Sequence, residues 1–510
     1  MKEKTKNNIF ISLIALAVVV VSLGLFFGAY ALCMFLGETT ITLDLNKRYQ
    51  TIEGFGASSA WIYQDMYNLE PELQDEAMEL LYGDSGLMLN TFRYNIGGGS
   101  NETGGYGEGS LNGTNSYFIA DRFKGDYSVF ADESNYDFTK CSVVDGMFKQ
   151  ALAKGNITHV VFFANSPHYL MTKNGKTHGE AEYDNNLKEE AYGAFSDYLL
   201  VSVNYLYENI ICKYDPDIKV YISPVNEPQW KWGGAGASQE GCHYDPEPLG
   251  KFYDVFYDKI TAYNAANGTD FIMDIFECGK YQMIFSSAKV KEYMKELSSY
   301  DWFEDIDTIS VHSYGSDNST FDKSLFFNYM SDNFSDKKIS VTEYCVLEFG
   351  VVKDMTMGVY NAQTILRDFK YLGAVSWSWW LSVSQGDYED GLVYWNKTED
   401  GNVLNTYKRY YVMGQFSRYV PEGSVRIEAK YSDFIGMNGI DCVAFERPDG
   451  KIVLIVVNDN SSARKISVGG EFSSFTKTVT DDNVNWDTSE GEFDGSVSVS
   501  PMSVTTFVLS

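Results

Sequence analysis

The 510-residue chain is poor in positive charge, in histidine and in metal-binding motifs. It has 40 Lys and Arg against 70 Asp and Glu, which gives a formal net charge of −30. This excess of negative charge would repel nucleic acid or an anionic membrane surface. The five histidines form no H-E-x-x-H motif, and the seven cysteines form no C-x-x-C pair. We therefore expect a neutral ligand and no metal site.

Two common enzyme classes also lack their signatures. No G-x-G-x-x-G or phosphate-binding glycine motif follows the first strand, and no G-x-S-x-G occurs. A nucleotide-binding open sheet and a serine hydrolase therefore have no support. Apart from Cys33, the cysteines could form up to three disulfides. We expect mostly free, buried thiols, because cysteine is among the most buried residue types.

One long apolar run is present, at residues 9–37, which carry no charge and follow three lysines within the first six residues. About 20 apolar residues cross a bilayer, whereas a secretory signal has an apolar core of about 7–15. We predict a cytoplasmic basic tail over 1–8 and a transmembrane anchor over 9–37, with the rest of the chain outside the cell. Cleavage after Ala31, which would secrete the protein, is the alternative.

Eight short apolar runs, each followed by a loop, predict a barrel over residues 52–420. The runs are Ile52–Ala57, Leu87–Tyr94, Thr158–Asn165, Lys219–Asn226, Phe271–Glu277, Asp307–His312, Lys338–Glu343 and Gly373–Trp379. The helix-like stretches between them are Leu69–Tyr82, Lys188–Cys212, Pro248–Ala266, Ser287–Leu297 and Met355–Tyr371. Strands that alternate with helices indicate parallel βα units. Eight of them fit a (β/α)₈ TIM barrel, and a doubly wound open sheet is the alternative.

The sequence patterns at both ends of the chain, outside the barrel, predict β-strands. After residue 420, short β-forming runs such as Val425–Lys430 are separated by turns, which is typical of a β-sandwich. Residues 39–51 alternate between apolar and polar side chains and need a partner sheet. We therefore predict a fused β-sandwich domain built from residues 38–51 and 421–510.

The C-terminal ends of the barrel strands carry a set of polar and aromatic residues. TIM-barrel active sites lie at this end. The residues there are Arg93, Asn165, Asn226, Glu227, Glu277, His312, Tyr314, Glu343, Trp377, Trp379 and Trp380. Glu227 and Glu343 end the fourth and seventh strands and would face each other. Glycoside hydrolysis needs such a pair, and a spacing of about 5–5.5 Å gives retention of configuration.

Several of these residues have structural alternatives. Asn226 and Glu227 could belong to an ordinary surface loop, and Glu343 could be a structural partner of Arg93. A neighbouring Arg93 would favour the charged form of Glu343. Pro228 disfavours the helical region for Glu227 and predicts an extended backbone there. His312 is more often a supporting group than a catalyst.

Taken together, the motifs resemble glycoside hydrolase family 30. The resemblance is carried by IEGFGASSAW (52–61), TFRYNIGGGS (91–100), SPVNEPQWKW (223–232), SVTEYC (340–345) and SWSWWLS (376–382). It implies a (β/α)₈ barrel with a fused β-sandwich, a retaining mechanism and no cofactor. Glu227 would be the acid/base and Glu343 the nucleophile. The subsite for the reacting sugar would include Arg93, Asn165, Asn226 and Trp379. The role of Glu277 is less secure, because ECGKY (277–281) varies from the family pattern.

The resemblance implies a retaining hydrolase of neutral β-linked oligo- or polysaccharides. Members of the family cleave β-glucosyl ceramide, xylan, β-1,6-galactan and β-1,6-glucan, and this sequence is most similar to the endo-β-1,6-galactanase branch. We expect Glu277, His312, Tyr314 and Trp377 also to bind substrate. The alternative is a surface protein that kept the barrel, binds carbohydrate and lost catalysis.

Overall fold

The computed structural model describes residues 18–28, 39–103, 113–179, 185–233, 239–284, 286–431, 439–470, 472, 474–492 and 496–510. The strands of the first part are β1 (Thr39–Thr51), β2 (Gly54–Ser58), β3 (Thr91–Asn95), β4 (His159–Phe163), β5 (Lys219–Ser223), β6 (Ile272–Met273), β7 (Ile275–Cys278), β8 (Thr308–His312), β9 (Lys338–Glu343), β10 (Ala374–Gln385), β11 (Gly391–Thr398) and β12 (Gly401–Thr406). Those of the second part are β13 (Val425–Tyr431), β14 (Ile440–Glu446), β15 (Ile452–Asn458), β16 (Arg464–Gly469), β17 (Ser474–Thr480), β18 (Asp487–Glu492), β19 (Val497–Val499) and β20 (Ser503–Leu509). The α-helices are α1 (Pro71–Tyr82), α2 (Ser142–Leu152), α3 (Tyr192–Asn209), α4 (Pro246–Asn267), α5 (Val290–Leu297), α6 (Thr320–Asn333), α7 (Met355–Arg367) and α8 (Lys408–Ser417).

Strands β2 to β10 form a nearly closed parallel barrel. Their order is β6-β5-β4-β3-β2-β10-β9-β8-β7, and every neighbouring pair is parallel. β6 pairs with β5 and β7 pairs with β8, so the fifth barrel strand is split at Asp274. All eight predicted runs coincide with barrel strands. The (β/α)₈ barrel is therefore confirmed, and pairing between β10 and β2 excludes the open-sheet alternative.

Both faces of the barrel strands are covered, which explains their continuous apolar sequences. Every side chain of β4, HVVFF, is buried. β10 runs for twelve residues, beyond the barrel rim, and pairs with β11, which forms an antiparallel hairpin with β12. The sequence did not predict this hairpin.

The helices surround the barrel as α/β order requires. The predicted helices correspond to α1, α3, α4, α5 and α7, the last followed by a π-helical turn at Asp368–Leu372. Helix α4 starts with Pro246 in its first turn and ends at Gly268, whose φ of 67° provides the left-handed cap. The sequence patterns did not predict α2, α6 and α8.

The β-sandwich domain uses both ends of the chain, as predicted. Its strand order is β18-β17-β20-β15-β14-β13-β1-β16-β19, and β1 lies antiparallel to β13 and parallel to β16. Alternate residues of β15 lie in two different hydrophobic cores, one on each face of the sheet. Leu454 lies in the core of the sandwich, whereas Val453 and Ile455 lie in the main core that includes the barrel helices. The sheet is therefore fixed against the barrel by apolar packing.

The predicted apolar segment 9–37 lies mostly outside the described residues. Residues 18–28 are helical, and within the described part of the chain no helix is long and apolar enough to cross a membrane. The described cysteines are free thiols, as predicted, and Cys242, Cys278, Cys345 and Cys442 are buried.

Candidate active site

Arg93 is the central cation at the C-terminal end of the barrel. Its side chain on β3 is fully buried. Nη2 donates to Glu277 Oε2 at 2.8 Å, and Nη1 donates to Glu343 Oε2 at 3.2 Å. The guanidinium also lies 4.1 Å above the ring of Phe163. Two carboxylates and an aromatic face offset the cost of removing this charge from water.

His312 joins three carboxylates. Its Nδ1 lies 2.8 Å from Glu227 Oε1 and 3.7 Å from Glu343 Oε1, and its Nε2 lies 3.4 Å from Glu277 Oε2. Burial favours the neutral ring, but the charge of Glu343 and the hydrogen bonds to Glu227 and Glu277 raise the pKa of His312 to about 10. The ring is therefore an imidazolium at neutral pH. Together with Arg93 it supplies two positive charges to the site.

Glu227 and Glu343 approach each other across the mouth. One oxygen of each, with a ring nitrogen of His312, lie within 4.8 Å of one another. This is close to the separation of about 5–5.5 Å that accompanies retention. Glu343 Oε1 accepts a hydrogen bond from the Tyr314 hydroxyl at 3.0 Å. Burial raises the pKa of Glu343 above its usual range. Arg93 favours the charged form, as expected, and so does His312, but together they do not outweigh the burial.

The backbone at the site is strained. Glu227 has a φ of 44° and Glu277 a φ of 42°, both in the left-handed region. The expectation of an extended Glu227 was therefore wrong. The Glu227 amide donates to the Glu277 carbonyl at 2.9 Å, and this bond holds the two turns together. Positive φ at non-glycine residues is uncommon and concentrates at functional sites.

Gly279 leaves room for Glu227. A Cβ at position 279 would lie 2.6 Å from Glu227 Oε1 and 2.5 Å from Trp230 Nε1. In the sequence, ECGKY was interpreted only as a departure from the family pattern, and this steric requirement was not predicted. The sequence feature that could have indicated this requirement is Gly279, two residues after Glu277 at the end of a barrel strand.

Two buried asparagine side chains have polar atoms without a hydrogen-bond partner among the described residues. Asn165 is 2% exposed, and neither its Oδ1 nor its Nδ2 has a partner among the described residues. The Oδ1 of Asn226, beside Glu227, also lacks a partner there. Buried polar groups are nearly always hydrogen-bonded, so these atoms are suited to bind hydroxyl groups of a ligand.

The tryptophans of β10 divide between the two faces of the strand. Trp377 is fully buried and donates from Nε1 to Asp368 Oδ2 at 2.9 Å, in the π-helical turn outside the barrel. Trp379 is also fully buried, and its Nε1 donates to the Asp390 carbonyl at 2.6 Å. The structure therefore does not bring these two predicted residues together with the carboxylates.

Trp380 lies on the other face of β10, near the site. Its ring packs edge-on against Trp61 at 5.1 Å and against Phe163 at 6.2 Å, and Phe163 lies under Arg93. Trp380 was among the residues expected at the strand ends but was not predicted to bind the substrate. The sequence held no signal that selects it. In the structure Trp380 lies on the same face of β10 as Ser376, which hydrogen-bonds to Ser340 of β9.

The fold and the paired carboxylates define a glycoside hydrolase. The family model described as O-glycosyl hydrolase family 30 matches residues 38–394, and the model of the glycosyl hydrolase family 30 β-sandwich domain matches residues 423–507. The chain therefore belongs to O-glycosyl hydrolase family 30. It is a retaining hydrolase of β-linked glycans, as the sequence motifs predicted.

Individual relatives are distant. An endo-β-1,6-galactanase of Hypocrea rufa is 21% identical over 440 residues, which cover 83% of this chain and 82% of the relative. A putative glucosylceramidase 3 of Caenorhabditis elegans is 21% identical over 457 residues, or 86% and 79% of the two chains.

Solved structures show the same fold. A conserved exported protein from Bacteroides fragilis has a TM-score of 0.79 at 23% identity and covers 92% of this chain and 100% of its own. The catalytic domain of the GH30 xylanase C from Talaromyces cellulolyticus has a TM-score of 0.68 at 20% identity, with 92% and 100% covered.

Proposed function

We propose that this enzyme hydrolyses β-1,6-galactan or a closely related neutral β-glycan, with Glu227 as acid/base and Glu343 as nucleophile. The observation that carries the mechanism is the approach of the two carboxylates to within 4.8 Å, with His312 in contact with Glu227. The two roles are assigned from the match of the two sequence motifs to the family. The galactan substrate is supported by the similarity to the Hypocrea rufa endo-β-1,6-galactanase over most of both chains. The net charge of −30 supports a neutral rather than an acidic polymer.

In the first step Glu343 attacks the anomeric carbon from the side opposite the leaving oxygen. Glu227 gives its proton to that oxygen, the glycosidic C–O bond breaks, and a covalent glycosyl-enzyme forms. Arg93 and Tyr314 hold the Glu343 carboxylate by hydrogen bonds at 3.2 and 3.0 Å, which orients one oxygen for attack. In the second step Glu227 takes a proton from water, the water oxygen attacks the same carbon, and Glu343 leaves as the carboxylate.

The sugar in the reacting position is held by groups that lack other partners. The side-chain atoms of Asn165 and the Oδ1 of Asn226 bind its hydroxyls, which completes their hydrogen bonding. Trp380 forms one wall of the position and rests on Phe163, which is itself under the Arg93 guanidinium. Glu277 and His312 are fully buried beneath Arg93 and Glu227. They therefore act through those two residues rather than on the sugar itself.

Hydrolysis of β-1,6-galactan, β-1,6-glucan and xylan, with the anomer of the first product followed by NMR, tests the proposal. We expect soluble β-1,6-galactan oligosaccharides that first appear as the β-anomer. The Glu343→Gln variant should release none. Turnover of xylan alone would contradict the proposed galactan substrate. A first product in the α-form would contradict the retaining mechanism.

The alternative of a silent carbohydrate-binding protein predicts binding without products. Both carboxylates and their supporting cations are in place, and this favours catalysis. Retention of the wild-type protein on a galactan column with no release of reducing ends would favour the alternative.

We also propose that residues 9–37 hold the enzyme at the cell membrane with its catalytic domain outside. The helical residues 18–28 support this, because their large apolar side chains are 38–70% exposed. N-terminal sequencing of the protein from membranes should begin upstream of residue 9. Recovery from the medium with a new start at Leu32 would indicate secretion instead.

A further inference from the structure

The base of the barrel, at the opposite end from Glu227 and Glu343, holds a polar cavity. Its volume is about 90 Å³, which has room for about three water molecules. His159 and Lys338 line it and are the first residues of β4 and β9, so the cavity lies at the N-terminal ends of the strands. TIM-barrel interiors are usually filled by bulky branched side chains. Here much of the wall is serine and threonine, namely Thr91, Thr308, Ser310, Ser340, Thr342 and Ser376.

One wall residue has a hydroxyl group without a partner. Thr342 is 5% exposed, and its Oγ1 makes no hydrogen bond to any of the described residues. Buried polar groups are nearly always hydrogen-bonded, so this hydroxyl is suited to bind a water molecule in the cavity. The cavity therefore has both the size and the polarity to be hydrated.

Asp274 reaches this cavity from the break between β6 and β7. Its side chain lines the cavity and is 5% exposed. The Asp274 amide donates to the Ile222 carbonyl at 2.9 Å, and its Oδ1 accepts a hydrogen bond from the Ser310 hydroxyl at 2.6 Å. None of the ion pairs within the described part of the chain includes Asp274. The carboxyl group is thus buried against a neutral donor, without a cation in contact.

The buried charges above Asp274 are already paired. Arg93 contacts Glu277 and Glu343, and His312 lies within 4 Å of the same two carboxylates. An ionised Asp274 would add a third carboxylate to two cations. A buried charge without its own partner is costly, and a proton on Asp274 removes that cost.

The electrostatics of Asp274 agree with this geometry. Burial and the negative charge of Glu277 raise the pKa of Asp274 to about 7. The hydrogen bond from Ser310 and the charge of Arg93 favour the ionised form but do not outweigh them.

The other titratable groups near Asp274 do not supply a positive charge. Burial raises the pKa of the Tyr221 and Tyr253 phenols, so both are neutral at pH 7. Burial lowers the pKa of His159, so its ring is neutral as well. The remaining charged residues that line the cavity are Glu53, which is paired with Lys338 at 2.8 Å, and the exposed Asp307.

We propose that Asp274 is a proton-binding site, which the working enzyme keeps filled through the cavity at the base of the barrel. The protonated carboxyl leaves Arg93 to Glu277 and Glu343. When its O–H bond breaks, the proton passes to water in the cavity, and a third carboxylate competes for Arg93. Asp274 contacts no reacting atom and is a positioning residue that acts through Arg93. Its effect on catalysis rests on the proposed role of Glu343.

Unfolding at several pH values tests whether the folded enzyme holds this proton. The unfolded chain protonates Asp274 only below about pH 4, whereas the folded enzyme does so below about pH 7. The stabilisation from this proton is therefore lost as the pH rises from about 4 to 7. Asp274→Asn stays neutral, so its guanidinium midpoint should rise relative to wild type between about pH 5 and 7 and level off above about pH 8. A difference that does not change with pH would overturn the proposal.

Two further variants support this measurement. Asp307→Asn is the matched control, because it removes an exposed carboxylate that lines the same cavity, and its difference from wild type should not vary with pH. If Asp274→Asn does not fold, Ser310→Ala decides. Loss of the Ser310 hydroxyl should raise the pKa of Asp274 further, so this variant should lose stability relative to wild type as the pH rises from about 7 to 8. A constant difference in Ser310→Ala would overturn the proposal as well.

Steady-state kinetics tests the link to the active site. On 4-nitrophenyl β-galactoside, the ratio of kcat between Asp274→Asn and wild type should be close to one at about pH 5. It should be about tenfold higher at about pH 8, where about nine-tenths of wild-type Asp274 is ionised. A purely structural role for Asp274 would give a ratio that stays constant with pH, and that result would overturn the positioning role.

The two measurements separate this proposal from the proposed function. If the wild-type enzyme hydrolyses no glycan but the stability difference depends on pH, the proposed function fails and the proton site stands. If hydrolysis occurs and neither difference depends on pH, the proton site is wrong and the proposed function stands.

Discussion

At the scale of single residues, the site depends on how two similar carboxylates are given different tasks. Glu343 is bound by Arg93 and Tyr314, whereas Glu227 is bound by His312. Donors that hold both oxygens of Glu343 orient it for attack on carbon. In the proposed mechanism Glu227 gives a proton to the leaving oxygen and later takes one from water.

Azide distinguishes these tasks. In Glu227→Ala, azide should restore activity on aryl glycosides and yield the β-glycosyl azide, because a small anion replaces the water that Glu227 would have activated. In Glu343→Ala it should yield the α-azide by direct displacement. NMR of the products checks both, with wild-type enzyme in azide as the control. Products with the opposite stereochemistry would exchange the two roles.

His312 couples the stability of the enzyme to pH. Its folded-state pKa of about 10 lies above the ordinary value of about 6.5, so the folded protein binds this proton more tightly than the unfolded chain. The resulting stabilisation is complete below about pH 6.5 and is lost as the pH rises toward 10. Guanidinium unfolding of wild type and His312→Gln at pH 6, 8 and 10 should show a stability difference that shrinks with pH. A constant difference would mean that the ring is neutral in the folded enzyme.

At the scale of elements, the turn after β7 sets the space available to Glu227. In Gly279→Ala the new methyl group would lie 2.6 Å from Glu227 Oε1 and should displace the carboxyl. We expect kcat/KM to fall by about a hundredfold, since small misplacements of catalytic groups have effects of this size. Steady-state kinetics and circular dichroism check activity and folding together. Gly146→Ala, where the methyl group meets nothing within 4 Å on α2, should leave kcat/KM unchanged.

At the scale of the whole molecule, β1 joins the segment before the barrel to the C-terminal sheet, where it pairs with β13 and β16. Ile41 is fully buried in the sandwich core, whereas Leu45 on the same strand is 44% exposed. Ile41→Ala should lower the free energy of unfolding by about 2–5 kcal/mol, because it removes buried methyl groups and leaves a cavity. Leu45→Ala should change it by about 0.5 kcal/mol or less. Guanidinium unfolding measures both, and equal effects would contradict the described register of β1.

Local sequence patterns determined a large part of this protein. The eight apolar runs became the barrel strands, because each must be covered on both faces and so reads as a continuous apolar segment. The alternation of residues 39–51 indicated a strand in need of a sheet, and β1 found β13 and β16. Strand ends identified Glu227 and Glu343, because the C-terminal ends of parallel strands meet at one mouth.

Only the tertiary structure decided the features that depend on contacts between distant segments. Trp380 rather than Trp377 faces Phe163 because the register of β10 against β2 and β9 fixes which side turns inward. Glu227 adopts a positive φ because its amide bonds to the Glu277 carbonyl, which overrides the preference imposed by Pro228. The pKa of Glu343 is raised because burial, which no local pattern encodes, outweighs the nearby charges of His312 and Arg93.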